Sequence, residues 1–419
     1  MNHLYRCQPL TRVVSDSDSV RRQNRALVLS TLRRQGPLAR TNLAAETGLS
    51  HASITAIGQD MLAQGILAEM RDEPDPARLR GRPAVRVGFN RTAGCVALVE
   101  LEVNRAQFSL VDYGGTLIDR FELAVAPDEF KRTTPAEFLV RHLTLFRERN
   151  RREMKALLYI AVSVQGILDR DGRHLRWSPI VHMADRPFAD DIAQAFGVPV
   201  SLHKRGRLLA EGSRWLDPKL QDASVATVFV GSTVAMGLTF RGDAVGRGNG
   251  GATEFGHMIH LPGGALCRCG ARGCIEAYAA DYAVLRTAYS VPETAPPAAS
   301  VPASQYEGLI ARAEAGDRAT LHAFNLAGRA IGYGLSRVIS LVDATHVRIL
   351  GPGARAYHLM RAEIETALSA SLVGRVAGLP EVVAQVDEKE AVFRGLMMKI
   401  LQQLDEEHFA FLPHAAATA

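Results

Sequence analysis

The chain has 419 residues, a length that predicts two or three domains. Of these residues 47% are hydrophobic and 22% charged, a composition typical of a globular protein. It has no run of about eighteen apolar residues and no apolar segment near its start, so neither a membrane span nor a secretory signal is predicted. The five cysteines are mostly clustered, which favours a reducing cytoplasm over a disulfide framework.

The positive charge is concentrated at the start of the chain. Residues 1–90 contain thirteen Arg, no Lys and eight Asp or Glu, a net charge of +5. The whole chain also carries +5, so the remaining residues are balanced. The first ninety residues are therefore the candidate polyanion-binding region.

Residues 21–64 carry a three-helix pattern, preceded by a polar segment, 1–20, that we expect to be a flexible leader. Helices are predicted over 21–35, 39–47 and 51–64, with Gly48 in the turn and Ser50 as an N-cap. This arrangement predicts a helix-turn-helix whose second helix enters the major groove of DNA. The predicted DNA contacts from these helices are Arg40, Ser50, His51, Ser53 and Thr55.

Two short apolar stretches, 65–70 and 84–89, predict the strands of a wing. The loop between them ends in an arginine-rich segment, in which Arg80 and Arg82 are predicted to contact phosphates or a narrow minor groove. Residues 21–90 are thus predicted to form a winged helix-turn-helix. The alternative, a three-helix protein-interaction module, does not account for the wing.

A compact set of metal-ligand residues lies farther along the chain: His257, Cys267, Cys269 and Cys274. Three thiolates and one imidazole form a tetrahedral zinc set, and glycines in the same segment allow a tight fold. The alternative is that these are loop residues without a metal. Four protein ligands leave no open coordination position, so one structural zinc ion per chain is predicted.

Between 95 and 372, predicted strands and helices alternate, which indicates an α/β fold. The segment Gly351-Pro352-Gly353 follows a predicted strand and suits a turn close to a ligand. Residues 389–409 are predicted to form one amphipathic helix.

These features resemble the ROK family (repressors, open reading frames and sugar kinases), in particular its helix-turn-helix transcriptional regulators. The resemblance is carried by Gly36-Pro37-Leu38-Ala39-Arg40, Thr47-Gly48-Leu49-Ser50, Gly81-Arg82-Pro83, Gly256-His257-Met258 and Cys267-x-Cys269-Gly270-x-x-Gly273-Cys274-x-Glu276. It implies a two-lobed actin/hexokinase-like domain. The first lobe would span 91–203 and be completed by 388–410, and the second, with the zinc site, would span 204–387.

In sugar-binding members of this family, the positions of Glu254, His257 and Glu276 contact sugar hydroxyls. A carboxylate that accepts hydroxyl hydrogens is a sound sugar contact, and zinc would fix the orientation of His257. The alternative is that the two carboxylates are solvated loop residues.

The chain departs from the family's kinases at three phosphoryl-transfer segments. The phosphate loop is replaced by Glu100–Asn104, whose acidic side chains repel phosphate, and the second glycine-rich segment, 231–237, keeps only its outer glycines. The Asn-Asp pair that carries the general base aligns with Lys204-Arg205, and arginine is not a base near neutral pH. The sequence is therefore predicted not to encode an enzyme.

Lys204 and Arg205 also add positive charge near the expected cleft. This suggests an effector with a negative charge, such as a sugar phosphate or a sugar acid. The alternative is that both side chains face solvent or pair with nearby acids.

The sequence as a whole predicts a cytoplasmic, zinc-containing transcriptional repressor of carbohydrate-related genes. It would bind double-stranded operator DNA as a homodimer, or as a tetramer of two dimers, and respond to a carbohydrate-type effector. Two alternatives are a sugar kinase fused to a DNA-binding head and a zinc-responsive regulator.

Overall fold

The computed structural model describes residues 17–70, 85–126, 128–169, 171–179, 188–246 and 253–411. The chain divides into two compact units, Met1–Ala93 with Leu401–Ala419, and Gly94–Ile400. We call the first the head and the second the lobed unit. No helix in the described part of the chain is long and apolar enough to span a membrane.

The head contains a helix-turn-helix and the two strands of a wing. Its elements are α1 (Ser17–Gln35), β1 (Leu38–Ala39), α2 (Arg40–Thr47), α3 (His51–Ala63), β2 (Leu67–Met70) and β3 (Arg86–Phe89). The strands form an antiparallel sheet in the order β1-β3-β2. Gly48 ends α2 in the left-handed region at φ 69°, and the Ser50 side chain accepts a hydrogen bond from the Ser53 amide. The Gly48 turn and the Ser50 cap therefore separate α2 from α3, as the predicted helix-turn-helix requires.

The first lobe of the lobed unit is a five-stranded sheet with helices. Its elements are β4 (Cys95–Leu101), β5 (Arg105–Asp112), β6 (Leu117–Ala124), α4 (Glu129–Arg132), α5 (Pro135–Arg149), β7 (Leu157–Val164), β8 (Ile167–Leu168), β9 (Leu175–Trp177), α6 (Phe188–Phe196) and β10 (Val200–Lys204). The sheet order is β10-β7-β4-β5-β6, and β8 pairs with β9 separately. Every residue of β4 and β5 is buried, so this sheet lies at the centre of the lobe.

The second lobe repeats the five-stranded plan around its own hydrophobic core. Its strands are β11 (Val225–Val230), β12 (Val234–Phe240), β13 (Asp243–Ala244), β14 (His346–Leu350) and β15 (Glu381–Gln385), in the order β13-β12-β11-β14-β15. The helices that follow the first lobe are α7 (Arg205–Leu216), α8 (Glu276–Ala279), α9 (Asp281–Ala288), α10 (Ala303–Glu314), α11 (Arg318–Leu341), α12 (Tyr357–Ala370), α13 (Leu372–Val376) and α14 (Lys389–Gln403). The two-lobed architecture expected from the resemblance is present.

The two ends of the described chain differ from expectation. Helix α1 begins at Ser17, inside the segment expected to be a leader. Helix α14 ends at Gln403 and is followed by a π-helical turn, Leu404–His408, instead of continuing through 409. Of the segment 388–410, which the resemblance placed with the first lobe, residues 388–400 belong to the lobed unit and residues 401–410 group with the head. Buried polar contacts with α1, which sequence patterns do not reveal, hold this segment in the head.

Candidate metal centre, effector cavity and DNA-binding surface

The predicted metal ligands converge on one point. The ligand atoms of His257, Cys267, Cys269 and Cys274 all lie within 4.8 Å of one another. The Cys267 Sγ lies 3.7 Å from the His257 Nδ1, and the Cys269 Sγ lies 3.7 Å from the Cys274 Sγ. A tetrahedron with Zn–S bonds of about 2.3 Å has edges of about 3.8 Å, so the four donors fit a zinc ion.

Backbone turns around glycine bring the cysteines together. The Gly270 amide donates to the Cys267 carbonyl at 3.0 Å, and Gly270 has a φ of 87°. Gly273 has the same φ, and a Cβ there would lie 1.8 Å from the Leu261 carbonyl oxygen. Only glycine fits this close approach, which explains the glycine spacing between the ligands.

A cavity of about 50 Å³ lies next to this candidate metal centre and includes His257 in its wall. All five predicted effector residues line it: Lys204, Arg205, Glu254, His257 and Glu276. The structure also places Gln165, Trp177, Thr233 and Thr253 on its wall, which the sequence analysis did not identify. The only available signal was positional, since Gln165 directly follows the buried strand β7.

His257 and Glu276 connect the cavity to the cysteine cluster. The His257 ring packs edge-to-face against Trp177, with centroids 5.4 Å apart. Glu276 is 1% exposed, and its Oε2 accepts a hydrogen bond from the Val234 amide at 3.1 Å. Its Oε1 accepts from the Tyr282 hydroxyl at 3.4 Å. Glu276 is therefore a positioned buried carboxylate, not a solvated loop residue.

The two cations of the cavity are already paired within the protein. Lys204 Nζ forms an ion pair with Glu254 Oε1. Arg205 Nη1 donates to Glu102 at 2.9 Å, and Arg205 Nη2 donates to Glu388 at 3.3 Å. This arrangement matches the alternative left open by the sequence, in which the cations pair with nearby acids.

The segment compared above with the kinase phosphate loop carries a buried carboxyl group, Glu100, and a partly buried one, Glu102. Glu100 is 2% exposed, and its Oε1 accepts from the Gln107 amide at 2.9 Å. Burial raises the pKa of Glu100 to about 7, although the nearby Arg205 guanidinium opposes that rise. Arg205 Nη1 lies 3.9 Å from Glu100 Oε2. The negative charges of such carboxylates would repel a polyphosphate.

The predicted DNA contacts lie on the head. His51 and Thr55 are exposed at the start of α3, and Ser53 is half-buried. Ser50 caps the helix and Arg40, at the start of α2, forms an ion pair with Glu69 at 3.2 Å. Arg80 and Arg82 lie outside the described residues.

A winged helix-turn-helix joined to a two-lobed α/β domain, with a His/Cys₃ cluster beside the cleft, defines the class of regulators built on a sugar-kinase-like fold. The sequence profile of the ROK family matches residues 99–403, well over half of the chain. The chain belongs to the ROK family.

Relatives match nearly the whole chain. The xylose repressor of Bacillus subtilis is 22% identical over 379 residues, covering 89% of this chain and 94% of that protein. The DNA-binding transcriptional dual regulator NagC of Escherichia coli is 23% identical over 395 residues, covering 92% and 94%. The crystal structure of a ROK family transcriptional regulator, a homologue of the E. coli MLC protein, superimposes with a TM-score of 0.74 at 20% identity, covering 92% and 98%.

Proposed function

We propose that this protein is a transcriptional repressor of carbohydrate-related genes, and that a carbohydrate-type effector bound in its cleft controls its affinity for DNA. The observation that carries the proposal is the match to xylose and N-acetylglucosamine repressors along both the head and the ROK domain. The convergence of Glu254, His257 and Glu276 on one cavity supports the effector. A repressor of chromosomal genes acts in the cytoplasm.

We propose that this protein does not transfer phosphoryl groups. Arg205 stands where family kinases carry the general base, and it is paired with Glu102 and Glu388. Guanidinium stays protonated at neutral pH and cannot accept a hydroxyl proton. Glu100 and Glu102 stand where a phosphate loop would supply backbone amides to ATP, and their carboxylates would repel its phosphates. Neither this segment nor Arg205 therefore suits phosphoryl transfer.

The contacts of Lys204 and Arg205 favour an uncharged effector over an anionic one. An anion would have to separate Lys204 from Glu254, and that leaves a carboxylate in the cleft without its cation. A neutral sugar can donate hydroxyl hydrogens to Glu254 while the ion pair persists. At about 30 Å³ of liquid volume per water, the 50 Å³ cavity has room for about two waters, so we infer that a sugar binds in a more open form of the cleft.

Zinc is the metal that best suits the His257, Cys267, Cys269 and Cys274 set. With four protein ligands it would be a structural ion that fixes the loop and, through His257, one wall of the effector cavity. Its loss would then disturb effector binding as well as stability.

We further propose that the head binds a roughly palindromic operator as part of a homodimer, or of a tetramer of two dimers. Arg40, Ser50, His51, Ser53 and Thr55 would contact DNA from the helices, with Arg80 and Arg82 on the wing. Effector and operator would each favour one of two conformations, so that each weakens the binding of the other.

A band-shift titration on the DNA upstream of the protein's own gene, with excess nonspecific competitor, tests this proposal. We expect a discrete complex that neutral sugars such as xylose, glucose or N-acetylglucosamine release. Glu254→Gln should bind the same DNA but respond less to sugar, whereas the exposed control Glu293→Gln should respond normally. If the protein forms no specific complex with any genomic fragment, the repressor proposal is rejected.

Two controls separate the alternatives. ATP-dependent phosphorylation of these sugars in a coupled assay would indicate a kinase. Operator binding that follows the free zinc concentration and ignores sugars would indicate a zinc-responsive regulator.

A further inference from the structure

A second cavity in the lobed unit, of about 180 Å³, adjoins the effector cavity and shares Gln165 and Phe229 with it. Its wall includes residues 102–104 after β4 and residues 231–232 after β11. Residues 352–353 after β14 also line it. At about 30 Å³ of liquid volume per water, this cavity has room for about six waters, enough for a small organic ligand.

The wall of this cavity is acidic. It carries three carboxylates, those of Glu102, Asp281 and Glu388, and a single described cation, Arg355. Arg355 forms an ion pair with Glu307 at 2.5 Å. Since like charges at close range repel, this lining disfavours a nucleotide phosphate and favours a positively charged group.

Of the three carboxylates, Asp281 is the one least compensated by the protein. Glu102 and Glu388 both receive hydrogen bonds from Arg205. The Asp281 Oδ1 accepts a hydrogen bond from a neutral donor, the Tyr282 backbone amide, at 2.5 Å. Burial raises the pKa of Asp281 to about 6, although Arg268 opposes that rise. A cation beside Asp281 would stabilise its ionised form.

Gln165 supplies an independent indication of a missing partner. It is 8% exposed and lines this cavity as well as the effector cavity. Among the described residues, no donor reaches its Oε1. A buried carbonyl oxygen without a donor is costly, and a ligand N–H would satisfy it.

The apolar part of the wall suits a ring or a short hydrocarbon. Phe229 and Tyr306 lie on it together with Val301. Aromatic faces attract cations as well as apolar groups.

We propose that this second cavity binds a small organic amine, with its ammonium group at Asp281 and its hydrocarbon part against Phe229 and Tyr306. The amine would be a ligand separate from the carbohydrate effector, and the proposal does not depend on the repressor function.

Calorimetry on the full-length, zinc-replete protein tests this with benzylamine and its neutral isostere benzyl alcohol. We expect benzylamine to bind at least about tenfold more tightly than benzyl alcohol, because a charge-assisted hydrogen bond contributes more than a neutral one. Benzylamine should also bind more tightly than ADP. Equal affinity for the two benzyl compounds, no binding of benzylamine at millimolar concentrations, or tighter binding of ADP would overturn the proposal.

Two variants locate the site. Asp281→Asn should lower benzylamine affinity about tenfold, whereas Asp343→Asn, an exposed control in the same lobe, should leave it unchanged. Gln165→Met, which keeps the volume but removes the acceptor, gives a second measurement if Asp281→Asn fails to fold, and it should also weaken benzylamine. Wild-type affinity in both folded variants would place amine binding elsewhere.

Discussion

Arg33 of α1 and Asp405 of the C-terminal turn form a bidentate ion pair inside the head. The Arg33 Nη2 lies 2.8 Å from the Asp405 Oδ1, and the Nε lies 3.0 Å from the Oδ2. Their side chains are 3% and 2% exposed. The guanidinium carbon also lies 3.6 Å from the centroid of the Phe89 ring, on the second strand of the wing. The last described turn of the chain is therefore part of the DNA-binding head.

Asp405→Asn should destabilise the head. Removing one partner of a buried ion pair leaves an uncompensated charge, and it typically costs about 3–5 kcal/mol in the free energy of unfolding. Hydrogen exchange of α1 amides in the full chain measures this cost locally. Glu406→Gln, on the exposed neighbour, is the matched control. Unchanged protection of α1 in Asp405→Asn would show that the pair does not stabilise the head.

Cys269→Ser should lower the zinc content and weaken the effector response together. The substitution removes one of four converging donors, and metal binding contributes to the stability of the loop that carries His257. Metal analysis, thermal unfolding and sugar-induced release from DNA measure the three consequences. Cys95→Ser, at a cysteine outside the cluster, is the control. Full zinc occupancy in Cys269→Ser would contradict the ligand assignment.

Thr55→Ala should change which operator sequence is preferred. Thr55 is exposed near the start of α3, where side chains reach base edges, and a lost base contact typically costs about 1–3 kcal/mol at one position. Binding to a library of single-base operator variants measures the change. Thr92→Ala, exposed in the 3-10 turn after the wing, should give the wild-type preference. If Thr55→Ala kept the wild-type sequence preference, Thr55 would not contact a base.

Arg82→Ala should weaken binding to all DNA sequences. The expectation rests on the arginine-rich wing loop of the sequence and on the loss of one phosphate contact. The slope of log affinity against log salt should fall by about one. Arg151→Ala, an exposed arginine of the lobed unit, should keep the wild-type slope.

Structural features that depend on residues close together in the sequence could be predicted from the sequence. Gly48 and Ser50 specify a turn and a cap within three positions, and the four candidate metal ligands lie in one short segment. The effector residues required the family resemblance, because Lys204 and Glu254 are separated by 50 residues and meet only in the folded chain.

Other features depend on contacts that no local pattern reveals. Arg33 and Asp405 are 372 residues apart in the sequence. Helix α7 was not predicted, and its Gly212 weakens a helical pattern while serving a packing role. A Cβ at Gly212 would lie 1.7 Å from the Ala391 carbonyl oxygen, so glycine is needed for the approach of α7 to α14. Arg205 likewise meets three carboxylates from two distant segments, Glu100 and Glu102 from one and Glu388 from the other, and only the folded chain brings them together.

Glu100→Gln should make the stability of the lobed unit less dependent on pH. Burial raises the pKa of Glu100 from 4.5 to about 7 in the folded chain, against the opposing effect of Arg205. Between these two values the folded protein holds a proton that the unfolded chain has released, so the free energy of unfolding falls as pH rises through this window. The full effect is about 3 kcal/mol, since one pKa unit corresponds to about 1.4 kcal/mol.

Glutamine cannot ionise, so the fall between about pH 4.5 and 7 should shrink, and Glu100→Gln should be more stable than wild type above pH 7. Urea unfolding at a series of pH values measures the slope, with the exposed Glu148→Gln as the control. If Glu100→Gln and Glu148→Gln follow the same pH profile, the carboxyl of Glu100 is already ionised at low pH. Its charge would then be held by Arg205, 3.9 Å away, more strongly than burial opposes it.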